Sequence, residues 1–242
     1  MLSLKQKQNC DKIIPSMIYF DNVTKKYKEN FSLEDVTISI APGEFVSIVG
    51  HSGAGKTTLT KLILAEEAPT SGTISFESTD IHKLSKNDLM NFRRKIGVVF
   101  QDFRLLPNRT AYENIAFAME STGKSDQEIM DDVPHVLELV DLTNRAFHFP
   151  HQLSGGEKQR LAIARAIITQ PDIIIADEPT GNLDPMNAAE VIKILKKIND
   201  LGTTVILTTH NKSIVDNIKK RVITLENGRV IRDEKEGKYV LK

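Results

Sequence analysis

The chain has 242 residues, 40% of them apolar and 26% charged, which fits a globular protein with its own core and excludes a disordered or collagen-like chain. Lys and Arg total 32, as do Asp and Glu, so the formal net charge is zero and no global field draws the chain to nucleic acid or anionic lipid. At this length one large domain can bury roughly 70 to 75% of the surface its unfolded chain exposes, without disulfide staples.

The lone cysteine, Cys10, has no partner within the chain, which suits a reducing compartment. No apolar run approaches the roughly 18 residues needed to span a bilayer. Residues 1–16 carry Lys5, Lys7 and Lys12 but no apolar stretch of the kind a signal peptide needs, and are read as a disordered N-terminal tail. Met17 stands just before the first strand and could be an alternative start; the domain itself is expected over 17–242.

β-type runs are predicted at 18–23, 36–40 and 45–49, followed by a glycine loop and a helix over 56–65. From 86 to 153 strand signal is nearly lost except at 96–100, and helices are predicted at 110–120 and 125–140, with Pro134 opening or kinking one of them. This stretch reads as a mostly helical lobe inserted into the rest. Beyond it come a helix at 156–169, a strand at 173–176, and a helix at 185–201 that starts with a proline in its first turn and stops at Gly202. Strands at 205–208 and 222–225 complete the pattern. The 173–176 run is continuously apolar, as in a strand covered on both faces, so the fold class is α/β with a parallel sheet.

Three runs carry chemistry. Gly50-His51-Ser52-Gly53-Ala54-Gly55-Lys56-Thr57 matches GxxxxGK[ST] between a strand and a helix, with Thr58 next on the helix. Its backbone N–H groups can close around phosphate oxygens, Lys56 can reach the β and γ phosphates, and the Thr57 hydroxyl can hold Mg²⁺. The strand at 173–176 leads into Asp177 and Glu178. Asp177 is placed to organise Mg²⁺ through its water shell, and Glu178 to orient or deprotonate an attacking water. Leu153-Ser154-Gly155-Gly156-Glu157 is a second helix N-terminus, with a serine cap and two glycines. Two phosphate-binding helix ends beside one nucleotide-sized loop suggest that the second serves a nucleotide held by another subunit.

The phosphate loop, the LSGGE run and the acid-ended strand together resemble the nucleotide-binding domain of ABC ATPases over about 18–237. The resemblance implies an ABC-type P-loop ATPase: a RecA-like core, an antiparallel β subdomain, and a helical subdomain at about 86–153. It also implies hydrolysis of ATP to ADP and phosphate with ATP and Mg²⁺ bound, Glu178, His210 and Lys56 being catalytic. Tyr27 resembles the aromatic that stacks on adenine, Gln101 the glutamine that touches Mg²⁺ and links the site to the helical lobe, and His210 the histidine that contacts the γ-phosphate. Asn182-Leu183-Asp184 looks like the family's D-loop, with Asp184 among the nucleotide-binding residues. By the same resemblance Thr57, Gln101 and Asp177 hold the metal. Ser154, Gly155 and Gly156 of one copy close on the nucleotide bound by residues 50–58 of the other. Asn211, where many relatives carry aspartate, and Asn182, in place of serine or alanine, are departures; neither removes a group hydrolysis requires.

Lacking a span of its own, such a subunit is expected at the cytoplasmic face of the membrane, as a homodimer on a separate membrane partner and without nucleic acid. The runs 93–107, 110–114, 180–184 and 221–232 look most like the cell-division branch of the family, whose membrane partner relays a signal to cell-wall hydrolases. The partner's contact is expected at 103–107. ATPases of lipoprotein-release and macrolide-export systems share the 180–184 run and are the alternative; a family member with no membrane partner is a third reading.

Overall fold

The computed structural model describes residues 16–238, and the tail read at 1–16, with Cys10, lies outside them apart from Ser16. Strands β1 (Ile18–Tyr27), β2 (Asn30–Ile40), β4 (Ser71–Phe76) and β5 (Thr79–Asp80) form an antiparallel sheet in the order β2-β1-β4-β5. Strands β3 (Phe45–Val49), β6 (Ile96–Phe100), β7 (Ile173–Asp177), β8 (Thr204–Thr209), β9 (Arg221–Glu226) and β10 (Arg229–Glu234) form the second sheet, in the order β10-β9-β3-β8-β7-β6. This sheet is parallel except for β10, which pairs antiparallel with β9. Every residue of β3 and β8 is buried, as are the four apolar residues of β7, which is why these strands carry consecutive apolar residues, with only Ser47 and the threonines of β8 as buried polar exceptions, instead of alternating apolar with exposed polar positions.

The helices are α1 (Lys56–Ile63), α2 (Lys86–Arg94), α3 (Ala111–Glu120), α4 (Asp126–Leu139), α5 (Gly155–Ile167), α6 (Pro185–Asp200) and α7 (Lys212–Ile218). Helices α3, α4 and α5 bury Ile115, Met119, Val133, Leu137 and Leu161 in a cluster distinct from those under the sheets. Each of the three starts with a capping box, Thr110 with Glu113, Ser125 with Glu128 and Ser154 with Glu157, so their first N–H groups are satisfied locally. Pro134 lies inside α4 and opens no helix.

The antiparallel strands extend beyond the apolar runs. β1 continues to Tyr27 and β2 begins at Asn30, because the hairpin pairs Tyr27 with Asn30 and Lys26 with Phe31. β10 alternates exposed and half-buried positions and is tied to β9 by Arg221 and Asp233, so it shows no continuous apolar signal. Register places the ends of the parallel strands side by side: Val49 lies opposite Thr209, and Asp177 opposite both Thr208 and Phe100. Residues that follow β3, β6, β7 and β8 therefore converge at one edge of the sheet, where open α/β folds bind ligands. Among the described residues no helix is long and apolar enough to cross a membrane.

Candidate nucleotide site

The loop after β3 turns into α1 through Gly55, whose φ of +105° is left-handed. A Cβ at Gly55 would lie 2.5 Å from the Ser32 carbonyl oxygen, so both the backbone angle and the space require glycine. No side chain caps α1, which leaves its N-terminal N–H groups directed at the cleft in front of the loop. Buried Lys56 folds back along the loop, donating to the carbonyls of Gly50 at 2.8 Å and His51 at 3.1 Å.

Glu178 reaches the same point from β7. One carboxylate oxygen is 3.3 Å from Lys56 Nζ and the other 2.9 Å from His210 Nδ1, so the acid spans a cation and an imidazole. Its backbone is held at φ 49°, with its N–H donating to the Thr208 carbonyl at 3.0 Å. Thr208, fully buried on β8, also donates its hydroxyl to Asp177. After β6, Gln101 donates from Nε2 to Asn182 Oδ1 at 3.2 Å, and Asn182 returns a bond to the Gln101 carbonyl at 3.3 Å. A cleft of about 580 Å³ results, walled by His51, Ser52, Gly53 and Gly55 to Thr58, with Ser32, Gln101, Glu178 and His210 opposite. An adjoining recess is bounded by Thr57, Gln101, Asp177, Glu178 and Asn182.

The sequence model of the ABC transporter family matches residues 33–181. The chain belongs to this family. It is 51% identical over 224 residues to the cell division ATP-binding protein FtsE of Bacillus subtilis, covering 92% of this chain and 98% of that protein. With FtsE of Mycobacterium tuberculosis it shares 47% identity over 225 residues, 92% of this chain and 98% of the relative. Among solved structures it resembles the ATP-binding cassette MJ0796, a dimer in a post-hydrolysis state bound to ADP and Pi, with a TM-score of 0.82 and 38% identity over 92% of this chain and 100% of that one. The protein is an α/β ABC cassette that binds and hydrolyses ATP.

Within the cassette the expected site residues fall into three groups. His51, Ser52, Gly53, Gly55, Lys56, Thr57, Thr58, Gln101, Glu178 and His210 line the cleft, with Asp177 in the adjoining recess. Gly50 and Ala54 form the back of the loop; a Cβ on Gly50 would lie 2.4 Å from the Leu225 carbonyl oxygen. Outside the lining are Tyr27, Ser154, Gly155, Gly156 and Asp184. Tyr27, half-exposed at the end of β1, gives its hydroxyl to Glu67. That bond, then Lys61 at 3.1 Å and Lys25 at 3.1 Å, holds the Glu67 carboxyl at about 2. Burial and the Glu67 carboxylate push the Tyr27 phenol upwards. Asp184 caps α6, accepting from the N–H groups of Met186 and Asn187. Gly156 sits where α5 meets α6, and a Cβ there would lie 1.9 Å from Asn187 Oδ1.

Thr57, Gln101 and Asp177 offer a hydroxyl, an amide and a carboxylate, all oxygen donors. No group of three or more His, Cys, Asp or Glu side chains among the described residues could hold a metal. A single carboxylate with hydroxyl and amide oxygens is a poor cage by itself but fits Mg²⁺, which takes few protein ligands and fills its shell with water and substrate phosphates. Ser32, which bonds Thr58 side chain to side chain at 2.7 Å, and Thr208 were not legible as site residues. Thr208 left one signal, a polar residue in a strand otherwise suited to full burial; Ser32 left none, because its position depends on β2 lying over the loop.

Ser154 begins α5 with its side chain accepting from the Glu157 N–H at 3.2 Å, and Glu157 accepts from Arg145 at 2.8 Å. The Arg145 guanidinium first, then the Ser154 backbone N–H, lower the Glu157 carboxyl to about 2. A lowered acid stabilises the fold above its unfolded value of about 4.3 and loses that contribution as pH falls through its folded value. Glu157→Gln is therefore expected to lower the urea midpoint at pH 7, with the gap from the parent narrowing between about pH 4.5 and pH 2. A gap independent of pH over that window would show that the carboxylate charge contributes nothing.

Proposed function

We propose that this ABC ATPase is the ATP-hydrolysing subunit of a cell-division complex of the FtsE–FtsX type, in which nucleotide-driven dimer closure and reopening moves a membrane subunit that controls cell-wall hydrolases outside. The observation that carries this reading is the similarity to FtsE over nearly the whole length of both chains, which also disfavours the lipoprotein-release and macrolide-export alternative. Lys56 and the N–H groups of residues 50–58 would hold the phosphates, with Tyr27 beside the adenine. Thr57, Gln101 and Asp177 would hold Mg²⁺, which when bound would neutralise charge on the phosphates. Glu178 would orient the attacking water and accept its proton, and His210 would contact the γ-phosphate.

Ser154, Gly155, Gly156 and Asp184 lie outside the cleft of their own subunit, which supports their serving the nucleotide of a second copy. The whole of 17–242 would act as one ABC domain, with the lobe at about 86–153 as a helical subdomain carrying the partner's contact at 103–107. Location would be peripheral, at the cytoplasmic face of the membrane, through that partner. The test is mass spectrometry of proteins that co-purify with tagged Glu178→Gln from the host's membranes in MgATP. An FtsX-like membrane subunit is expected. An export permease, or no membrane protein at all with the dimer intact, would overturn the reading.

A further inference from the structure

Helices α6 and α7 border a second groove, remote in composition from the nucleotide cleft and about 740 Å³ in volume. Its apolar floor includes Ala188, Ile192 and Ile214. Along one rim stand Lys193, Lys196 and Lys197, three cations at the i, i+3 and i+4 positions of α6 and hence on one face of the helix. Among the described residues none of the three has an ion pair, although Lys56, Lys61, Lys83, Lys95 and Lys124 all do. Like charges at these spacings repel and destabilise a helix. The chain as a whole is neutral, so this is a local concentration of charge that no ion pair offsets.

We propose that this groove docks an acidic, amphipathic segment of a protein partner, its apolar side chains on the floor and its carboxylates facing the three lysines. Apolar anchors spaced at i, i+3 and i+4 on a helix would lie along such a groove. Carboxylates at the same spacing would match the lysine row, since both helices repeat at 1.5 Å per residue. A concave apolar floor fits inserted side chains better than the plane of a lipid surface. Asp200 at the end of the groove opposes the continuous negative charge of a nucleic acid. The other end is formed by Leu183 and Asn211, neighbours in sequence of Asp184 and His210, so an occupant would lie against the starts of both helices.

The probe is a fluorescein-labelled 18-residue helical peptide of Leu and Glu at that spacing, titrated against the full chain, with a scrambled peptide of equal composition as control. Lys193→Gln/Lys196→Gln/Lys197→Gln is expected to weaken binding at least about tenfold, as the loss of three ion pairs implies, while the corresponding triple Arg variant keeps it. Because these side chains lie on the groove's rim, the Arg variant should melt like the parent and the Gln variant, relieved of like-charge repulsion, no lower than the parent. Equal binding by the Gln variant, or equal binding of the scrambled peptide, would overturn the proposal. So would lysine-dependent binding to phosphatidylglycerol vesicles with none to the peptide, which would point to a membrane surface. No arm depends on the cell-division reading, so the two can fail separately.

Discussion

Glu178→Gln is expected to slow ATP hydrolysis at least about 100-fold while leaving ATP binding intact, the loss appropriate to removing a positioned general base. The carboxylate stands between Lys56 and His210, 3.3 Å from one and 2.9 Å from the other. An amide of nearly the same shape can keep a hydrogen bond to either neighbour but cannot take up a proton. The effect should fall on kcat, since the group's service is confined to the transition state, and the dimer should persist in MgATP because the step that reopens it is blocked. Phosphate release under saturating ATP and size-exclusion chromatography in MgATP measure the two effects. An unaltered rate would mean that another residue handles the water.

Lys56→Ala is expected to abolish tight ATP binding itself. Lys56 lies nearly buried at the start of α1, within reach of the loop carbonyls that surround the phosphate position. A hydrogen bond to a charged group contributes about 1.5 to 3 kcal/mol, so each bond to phosphate that the alanine cannot make weakens affinity roughly 10- to 150-fold. Truncation also leaves Glu178 without its cation, adding negative charge where the γ-phosphate must sit. Equilibrium titration with a fluorescent ATP analogue distinguishes this from the Glu178 variant, in which affinity is kept. Normal affinity in the alanine variant would remove the phosphate-loop assignment.

Much of the fold was legible because its signals are local. The glycine loop, the all-apolar β7 ending in Asp177, and the serine-capped start of α5 are each written in one contiguous run whose backbone geometry does the chemistry. Prolines, glycines and caps marked most helix starts, and α6 begins at Pro185 as its sequence implies. Less visible were β4 and the edge strands β5 and β10, with polar or alternating residues, whose strand character comes from pairing and not from composition.

The anion-binding loop, the paired carboxylates and the second capped helix end are thus properties of the amino-acid order, since each needs only neighbours along the chain. How they meet is a matter of tertiary packing. The sheet order β3-β8-β7 sets Glu178 between Lys56 and His210, and brings Thr208 to Asp177. Packing also leaves Ser154 and Asp184 outside the cleft that their own subunit builds, and it aligns α6 with α7 around an apolar groove rimmed by lysines. These arrangements join residues far apart in sequence, and strand order is settled by how the apolar faces of all the elements bury one another, which no short run of residues encodes.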